Sequence, residues 1–242
     1  MQRGEFADAE RELGATLAVD PDHGEALYLL SLPKPLVAVL DLIGQGRLGR
    51  AEEICRAFLK RNPRHVEGMR LLADIGMRLG VLEDAEFLLE SAVAFEGDHL
   101  PARMDYVRAL QKRQKYDLAL AQARELLRRD PENPQLVSLH AVVSMQAGDY
   151  ETALAGFDAV LAKLPGDPYT LTAKGHALKT CGRADEAVAA YRAARSGHPN
   201  HGEAYYSLAN LKTYAFTEAE IAAMRSRVAD PDLGHMDRVY LH

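Results

Sequence analysis

The chain has 242 residues, of which 48% are hydrophobic and 26% are charged, so it can bury a sizeable core and is too apolar to be disordered. Its 29 Lys and Arg against 35 Asp and Glu give a formal charge of -6, which argues against a surface that coats nucleic acid or anionic lipid. No apolar stretch forms a secretion signal at the N-terminus, and no run reaches the ~20 apolar residues that a membrane-spanning helix needs.

Along the chain, the first predicted element is a helix from residue 5 to residue 19. Gly4, Ala9 and Pro21 have the spacing of a glycine turn, the middle of a helix and a helix stop, which recurs downstream. The pattern makes this the second helix of a two-helix unit whose first helix is absent. We therefore expect residues 1–31 to be a partial repeat and the chain to start inside a longer array.

The next unit is irregular, because Pro21 and Pro63 are 42 residues apart rather than 34. The eight extra residues fall between His23 and Pro35. Two prolines in the segment 31–35 predict a break or kink in the first helix of this unit, since proline removes a backbone donor and restricts the residue before it.

From here on, three residue types recur every 34 residues. A small residue lies in the middle of each second helix, a glycine or glutamine lies five residues before it, and a proline or glycine lies twelve residues after it. The three series are Ala51, Ala85, Ala119, Ala153 and Ala187; Gly46, Gly80, Gln114, Gly148 and Gly182; and Pro63, Gly97, Pro131, Pro165 and Pro199. Each unit is thus a helix, a glycine turn, a second helix and a proline stop, at residues 32–65, 66–99, 100–133, 134–167 and 168–201.

Small residues also recur in the first helices, where they allow two antiparallel helices to approach closely. These positions are Val39, Ala73, Val107, Ala141, Gly175 and Ala209. Helix-capping residues support the predicted helix starts. Asn133 and Asp167, whose side chains can cap a helix, each come directly before a proline at the first helical position. A two-helix unit of this kind cannot bury its apolar face alone, so neighbouring units must stack.

This period and pattern resemble the tetratricopeptide repeat over about residues 1–215. The unit from residue 168 matches best, at Leu171, Gly175, Leu178, Ala187, Tyr191 and Pro199. The resemblance implies an all-α fold, a right-handed superhelical solenoid of helix-turn-helix units, and a role in protein binding.

Residues 202–242 lose the glycine and alanine columns, and we interpret them as a degenerate repeat or capping helices. The segment 202–214 is predicted to be another first helix, and Thr217 with Glu220 predicts a capping box for the next helix. After a turn at residues 230–234, an amphipathic run begins at Met236 and is cut at the last residue. We expect the natural protein to continue into a further region.

A narrower resemblance lies in this segment, at residues 203–213, 216–221 and 230–232. It is similar to bacterial tetratricopeptide-repeat sulfotransferases, in which such a segment joins the repeats to a C-terminal catalytic domain. The resemblance implies a parent enzyme that transfers a sulfo group from 3′-phosphoadenosine 5′-phosphosulfate. No cofactor residue carries over, because the nearest candidate for a phosphate loop, residues 195–197, has the pattern of a helix end.

We predict no catalytic residue, no cofactor and no metal site in the chain. His23, His65, His99 and His201 recur at the same turn position and mark helix starts rather than metal ligands. His140 is expected to pack in the core.

The predicted partner-binding groove consists of first-helix residues outside the packing columns, because first helices line the concave face of such stacks. Its residues are Arg70, Asp74, Arg78, Asp105, Arg108, Lys112, Leu139, Val142, Met145, Tyr169, Thr172, His176, Lys179, Tyr206 and Asn210. A charged half gives way to an apolar patch and then to a polar aromatic end, which suits a peptide segment with one apolar anchor. Leu139 and Val142 could instead pack on neighbouring units. The sequence does not decide between this interpretation and a place in the groove.

Basic residues from Arg108 to Lys115 and from Arg124 to Arg129 form a local positive cluster. We interpret it as a solvated face rather than as a site for an acidic partner.

The sequence therefore predicts a protein-interaction scaffold, specifically the repeat region of a larger bacterial sulfotransferase that serves recruitment, docking or oligomerisation. The partner would be a protein or peptide segment, or the chain's own C-terminal domain, and not nucleic acid or membrane. The alternative is a stand-alone adaptor in protein assembly or secretion. Two cysteines without a paired spacing suit a reducing compartment, so we expect a cytoplasmic protein.

Overall fold

The computed structural model describes residues 3–241, with side chains from residue 11 onward. Met1, the expected start inside a longer array, and His242, the end of the last amphipathic run, lie outside this range. The chain forms two compact units, residues 1–115 and 116–242. Every regular element among the described residues is a helix, which confirms the predicted all-α fold class.

The first unit contains seven described helices. They are α1 (Arg3–Val19), α2 (Gly24–Ser31), α3 (Lys34–Gly44), α4 (Leu48–Arg61), α5 (Val66–Leu79), α6 (Leu82–Phe95) and α7 (Leu100–Lys112). The predicted break in the irregular unit is confirmed, because α2 ends before Leu32 and Pro33, and Pro33 precedes the first residue of α3. The extra residues are accommodated by splitting one first helix into two short helices.

The second unit contains eight described helices. They are α8 (Tyr116–Arg129), α9 (Pro134–Gln146), α10 (Tyr150–Lys163), α11 (Pro168–Thr180), α12 (Ala184–Gly197), α13 (Gly202–Ala209), α14 (Glu218–Val228) and α15 (His235–Leu241). Within this unit the successive second helices α8, α10 and α12 begin 34 residues apart, and the first helices α9, α11 and α13 do the same. Antiparallel pairs such as α9 with α10 and α11 with α12 make the most extensive contacts.

The turn between paired helices requires a left-handed backbone in every repeat. Gly46, Gly80, Gly148 and Gly182 have φ between 72° and 87°, and Gln114 has φ of 58° at the same position. Glycine adopts this conformation without the steric cost that a Cβ brings. Gln114 carries that cost, so this turn is the strained member of the series.

The alanine column forms the centre of the helix packing. All five of its alanines have no exposed surface. In the corresponding column of the first helices, Val39, Ala73, Val107 and Ala141 are also fully buried. The expectation for Ala209 is wrong, because α13 ends at this residue and leaves its side chain exposed.

Helix starts are capped as the turn residues predict. His65 and His99 accept a hydrogen bond through Nδ1 from the backbone N–H of Gly68 and Ala102, and His23 caps α2 in the same way. Such a bond needs an unprotonated Nδ1. Asn133 and Asp167 cap α9 and α11 through their side-chain oxygens. His140 is partly exposed, which corrects its expected place in the core; burial still lowers its pKa.

The C-terminal helices differ in length from the expectation. The helix predicted over residues 202–214 ends at Ala209, whereas the capping box of α14 is present with both of its hydrogen bonds. Hydrogen bonds from Tyr214 and Thr217 lower the pKa of Glu220 to about 2. The amphipathic run near Met236 forms α15, which packs against α13.

From residue 3 to residue 241, no helix combines the length and the apolar character needed to cross a membrane.

Candidate functional site

In the first unit, polar side chains from three first helices bind one another. The Tyr28 hydroxyl on α2 donates to the carboxylate of Glu67 on α5. Arg70 on α5 donates through Nη2 to Glu67 Oε1 at 2.6 Å and through Nη1 to Oδ2 of Asp105 on α7 at 2.8 Å. The Arg70 guanidinium therefore links α5 to α7. Its Nη2 also donates to the Tyr28 hydroxyl on α2 at 3.0 Å, and its Nε donates to Glu67 on α5 at 2.9 Å.

The protonation states in this network follow from its geometry. Burial and the hydrogen bond to Glu67 raise the pKa of Tyr28 to about 12. Burial alone would raise the pKa of Glu67, but hydrogen bonds from Arg70 and Tyr28 outweigh it and hold the pKa below its usual value. At neutral pH Tyr28 is therefore a neutral phenol and Glu67 an ionised carboxylate, and both are hydrogen-bonded to the Arg70 guanidinium.

The other groove residues of this unit form local pairs or point to solvent. Arg108 donates to Asp105 at 2.8 Å, and Arg78 donates to Asp74 one helical turn away at 3.0 Å. Lys112 is exposed. Asp105 is buried beneath its two arginines, which corrects its predicted place as a surface contact. In the charged half of the predicted groove, most charged side chains thus pair with one another and are not available to a partner.

Part of the basic cluster in this unit is also neutralised internally. Arg113 contacts Glu83 and Glu86 at 2.8 Å each, and Lys115 contacts the other oxygen of Glu86 at 2.7 Å. These pairs favour a structural and solvated role for the cluster over recognition of an acidic partner.

The apolar part of the predicted groove lies in the second unit, on α9. Val142 and Met145 pack against a buried cluster that includes Phe157 and Ala177. Leu139 is also partly buried. For Val142 and Met145, the structure therefore favours packing on neighbouring helices over an exposed anchor for a peptide.

A polar cavity of about 250 Å³ opens on the face formed by α11, α13 and α15. Four predicted groove residues meet there with three residues that the prediction omitted. The lining side chains are His176, Lys179, Glu203, Tyr206, Ser207, Asn210 and Tyr240. The structure brings together the polar aromatic end of the predicted groove, apart from Tyr169 and Thr172.

One side of the cavity is held by a short hydrogen-bonded chain. His176 Nδ1 lies 2.9 Å from the Tyr191 hydroxyl, and His176 Nε2 lies 3.4 Å from a carboxylate oxygen of Glu203. Burial and the Glu203 charge raise the pKa of Tyr191 to about 12, so this hydroxyl keeps its proton. Because the Glu203 carboxylate can only accept, its contact with Nε2 favours the His176 tautomer with Nε2–H, whose Nδ1 accepts from the Tyr191 hydroxyl.

Three other residues that line the cavity have unused hydrogen-bonding capacity. Lys179 and Asn210 are exposed, and neither side chain has an ion pair or hydrogen bond with the described residues. Ser207 is only 4% exposed, and its hydroxyl likewise has no partner in the described part of the chain. An ammonium, an amide and a hydroxyl can together hold a carboxylate or a peptide carbonyl.

Tyr169 and Thr172 have other roles. The Thr172 hydroxyl is buried 2.9 Å from His201 Nε2, so its prediction as a surface residue is corrected. Tyr169 is exposed and contacts the His201 ring edge-to-face, with ring centroids 5.1 Å apart. Burial lowers the pKa of His201, which therefore favours the neutral imidazole.

Among the residues that the structure describes, no three His, Cys, Asp or Glu side chains converge as metal ligands would.

Comparison with known protein families agrees with this architecture. The profile of the tetratricopeptide domain of cytochrome c-type biogenesis protein H matches residues 55–170. Two tetratricopeptide-repeat profiles match residues 144–211 and 1–32. The chain is a tetratricopeptide-repeat protein.

Solved structures show the same fold. TTC0263, a tetratricopeptide protein of Thermus thermophilus, aligns over 74% of this chain and 98% of its own, with 24% identity and a TM-score of 0.60. YrrB, described as having an unusual peptide-binding site, aligns over 81% and 96% with 14% identity and a TM-score of 0.59. MamA aligns over 66% and 93% with 19% identity and a TM-score of 0.58. No curated protein matches the chain in sequence.

In this tetratricopeptide-repeat protein, sequence reasoning missed Glu203, Ser207 and Tyr240 as cavity residues. Glu203 and Ser207 lie on α13 beside the predicted Tyr206, one turn before and one position after it. The helical period alone could have suggested Glu203. Tyr240 could not be placed, because nothing in the repeat pattern says where α15 folds back.

Proposed function

We propose that this tetratricopeptide-repeat protein is a protein-interaction scaffold whose binding site is the polar cavity on α11, α13 and α15. The observation that carries the proposal is the pairing of an open cavity with three hydrogen-bonding side chains that lack partners among the described residues, Lys179, Ser207 and Asn210. Polar groups that face a cavity without internal partners give up only bound water when a ligand bonds to them, whereas paired groups must also give up their internal partner. The ligand we expect is an extended or helical peptide segment.

The test uses peptides selected from a phage-displayed library on the full chain. We expect at least one family of peptides to bind, and Lys179→Ala with Asn210→Ala to weaken its affinity by about tenfold or more, since charge-assisted hydrogen bonds contribute about 1.5–3 kcal/mol each. Arg78→Ala with Lys112→Ala is the matched control on the first unit and should leave the affinity unchanged. Failure to select any peptide, or equal loss in both double variants, would contradict the proposal.

We further propose that the chain is the repeat region of a larger sulfotransferase dependent on 3′-phosphoadenosine 5′-phosphosulfate, which it serves by recruitment, docking or oligomerisation. The support is the motif resemblance at residues 203–213, 216–221 and 230–232, which corresponds to α13, the start of α14 and the turn before α15. Sequencing the gene beyond residue 242 tests this. A strand, a Gly/Ser/Thr phosphate loop and a helix would support it, whereas an immediate stop codon would favour a stand-alone adaptor.

The cytoplasm is the compartment we propose, on the basis of cysteine chemistry. Cys55 is buried and Cys181 is exposed, and both are free thiols in the structure. Burial raises the pKa of the Cys55 thiol to about 12, which keeps it unreactive. Free thiols suit a reducing compartment. Fractionation of cells that express the natural protein tests the location, and recovery outside the cytoplasm would contradict it.

A further inference from the structure

The last described helix, α15, covers part of the same surface. The Asp237 carboxylate accepts a hydrogen bond from the backbone N–H of Gly202 at 2.9 Å. One turn further on, the Tyr240 ring lies 5.4 Å from the Tyr206 ring, centroid to centroid, and lines the cavity. An acidic residue and an aromatic residue three positions apart therefore face α13 together.

Gly202 is the residue that admits α15. A Cβ at this position would lie 2.5 Å from the carbonyl oxygen and 2.8 Å from the Cα of Asp237, both backbone atoms. The equivalent first positions of α9 and α11 are prolines, Pro134 and Pro168. The glycine at the start of α13 thus allows a second backbone to approach closely.

The cap of α13 also differs from those of the earlier first helices. His65 and His99 cap their own helices through Nδ1, whereas the equivalent His201 is turned inward to Thr172 and makes no cap hydrogen bond. The carboxylate of Asp237 replaces it, where the partial positive charge of the helix N-terminus favours an anion. This contact comes from another helix, so a carboxylate from another chain could supply it as well.

The contacts that hold α15 in place lie at the protein surface. This helix has seven residues, none of which is buried. Arg238 binds the backbone carbonyls of Val228 and Asp230, and Leu233 just before α15 is 5% exposed. A helix with no buried residue is held only by surface contacts and belongs to the segments that open before the core does.

We propose, on the basis of the proposed binding function, that α15 is an internal ligand of a helix-binding surface on α11 and α13. The surface accepts from a partner protein a helical segment that carries an acidic residue followed three positions later by an aromatic residue. The connection to α13 through α14 in the same chain gives α15 an effective concentration on the order of millimolar, so a partner binds only weakly until α15 is displaced.

The test compares the native full chain with a variant carrying Asp237→Ala and Tyr240→Ala, which removes the hydrogen bond to Gly202 and the ring contact with Tyr206. A fluorescent peptide with the sequence of residues 233–242 is the probe, and its anisotropy reports binding. We expect the variant to bind the peptide at least about tenfold more tightly than the native chain does, because α15 no longer competes. A peptide carrying both substitutions should bind neither chain.

Adding Gly202→Ala to the variant provides the sharpest control, because the new Cβ meets the backbone of the incoming peptide as it would that of α15. Peptide binding should then be lost, whereas Gly166→Ala, at a position with open space, should leave it unchanged. Equal peptide affinity for native chain and variant, no binding to the variant, or indifference to Gly202→Ala would overturn the inference.

A second measurement needs no substitution in α15. Gly202→Ala in the native chain should accelerate amide hydrogen exchange throughout α15 and leave α11 unchanged, and unaltered exchange in α15 would also overturn the inference. The proposed function is tested separately by peptides that need Lys179 and Asn210. If those peptides still bind while the α15 peptide does not, the internal-ligand inference alone fails.

Discussion

The first-helix faces of the two units use polar side chains in different ways. In the first unit, Glu67, Arg70 and Asp105 bind one another across α5 and α7. In the second unit, Lys179 and Asn210 border an open cavity without a partner among the described residues. A polar first-helix residue is therefore evidence for binding only when no neighbouring helix has already satisfied it. The repeat pattern alone does not distinguish the two faces.

The largest expected effect on this comparison comes from Arg70→Met. The substitution leaves the Glu67 and Asp105 carboxylates facing each other without their shared cation. Removing one partner of a largely buried ion pair destabilises by about 3 kcal/mol. Urea unfolding measures the free energy, and Arg78→Met, which removes only an exposed pair, should cost less than about 0.5 kcal/mol. Equal losses would mean that the network is no more than a surface feature.

A somewhat smaller effect is expected from Gly175→Ala in the second unit. The added Cβ would lie 2.7 Å from Cδ1 of the fully buried Tyr191. Overpacking of this kind costs about 1–3 kcal/mol. It should also move Tyr191 away from His176 and weaken binding of the selected peptides. The same substitution at Gly166 has open space around it and serves as the control in both assays.

The turns provide a third test, because they need the same backbone conformation in both units. Gly148→Ala places a Cβ on a residue with φ of 87° and should destabilise by about 1 kcal/mol. Gln114→Gly removes the same left-handed backbone strain, which Gln114 already carries, and should be neutral or stabilising by up to about 1 kcal/mol. Thermal unfolding distinguishes the two signs, and a clear loss for Gln114→Gly would show that its side chain has a role beyond the turn.

The smallest expected effect is a pH dependence of the first-unit network. Glu67 has a folded pKa below its ordinary value of 4.5, so its stabilising contribution is present above that pH and is lost as the pH falls through the folded pKa. Glu67→Gln should therefore be less stable than the native chain at neutral pH, and the gap should narrow as the pH falls below about 4.5. A gap that stays constant down to about pH 2 would contradict the assigned charge state.

Much of the fold was predictable because the repeat imposes the same requirement many times. The left-handed turns, the buried alanine column and the split first helix each follow from a local rule about glycine, alanine or proline. The short α13 and the exposed Ala209 were not predictable, since the repeat columns fade after residue 202.

The candidate site was predictable only in part. His176, Lys179, Tyr206 and Asn210 follow from the register of the first helices, which puts them on one face. The register cannot show which side chains another helix will satisfy, so Asp105 and Thr172 were misplaced. The position of α15 depends on a tertiary contact at Gly202, and this contact has no counterpart in the repeat pattern of the sequence.

The most direct test of the contrast between the two units is amide hydrogen exchange of the full chain with and without a selected peptide. Our account predicts slower exchange in α11 and α13 on binding, with α5 and α7 unchanged. Protection that maps instead to α5 and α7 would show that the charged network is the binding face and would contradict the account.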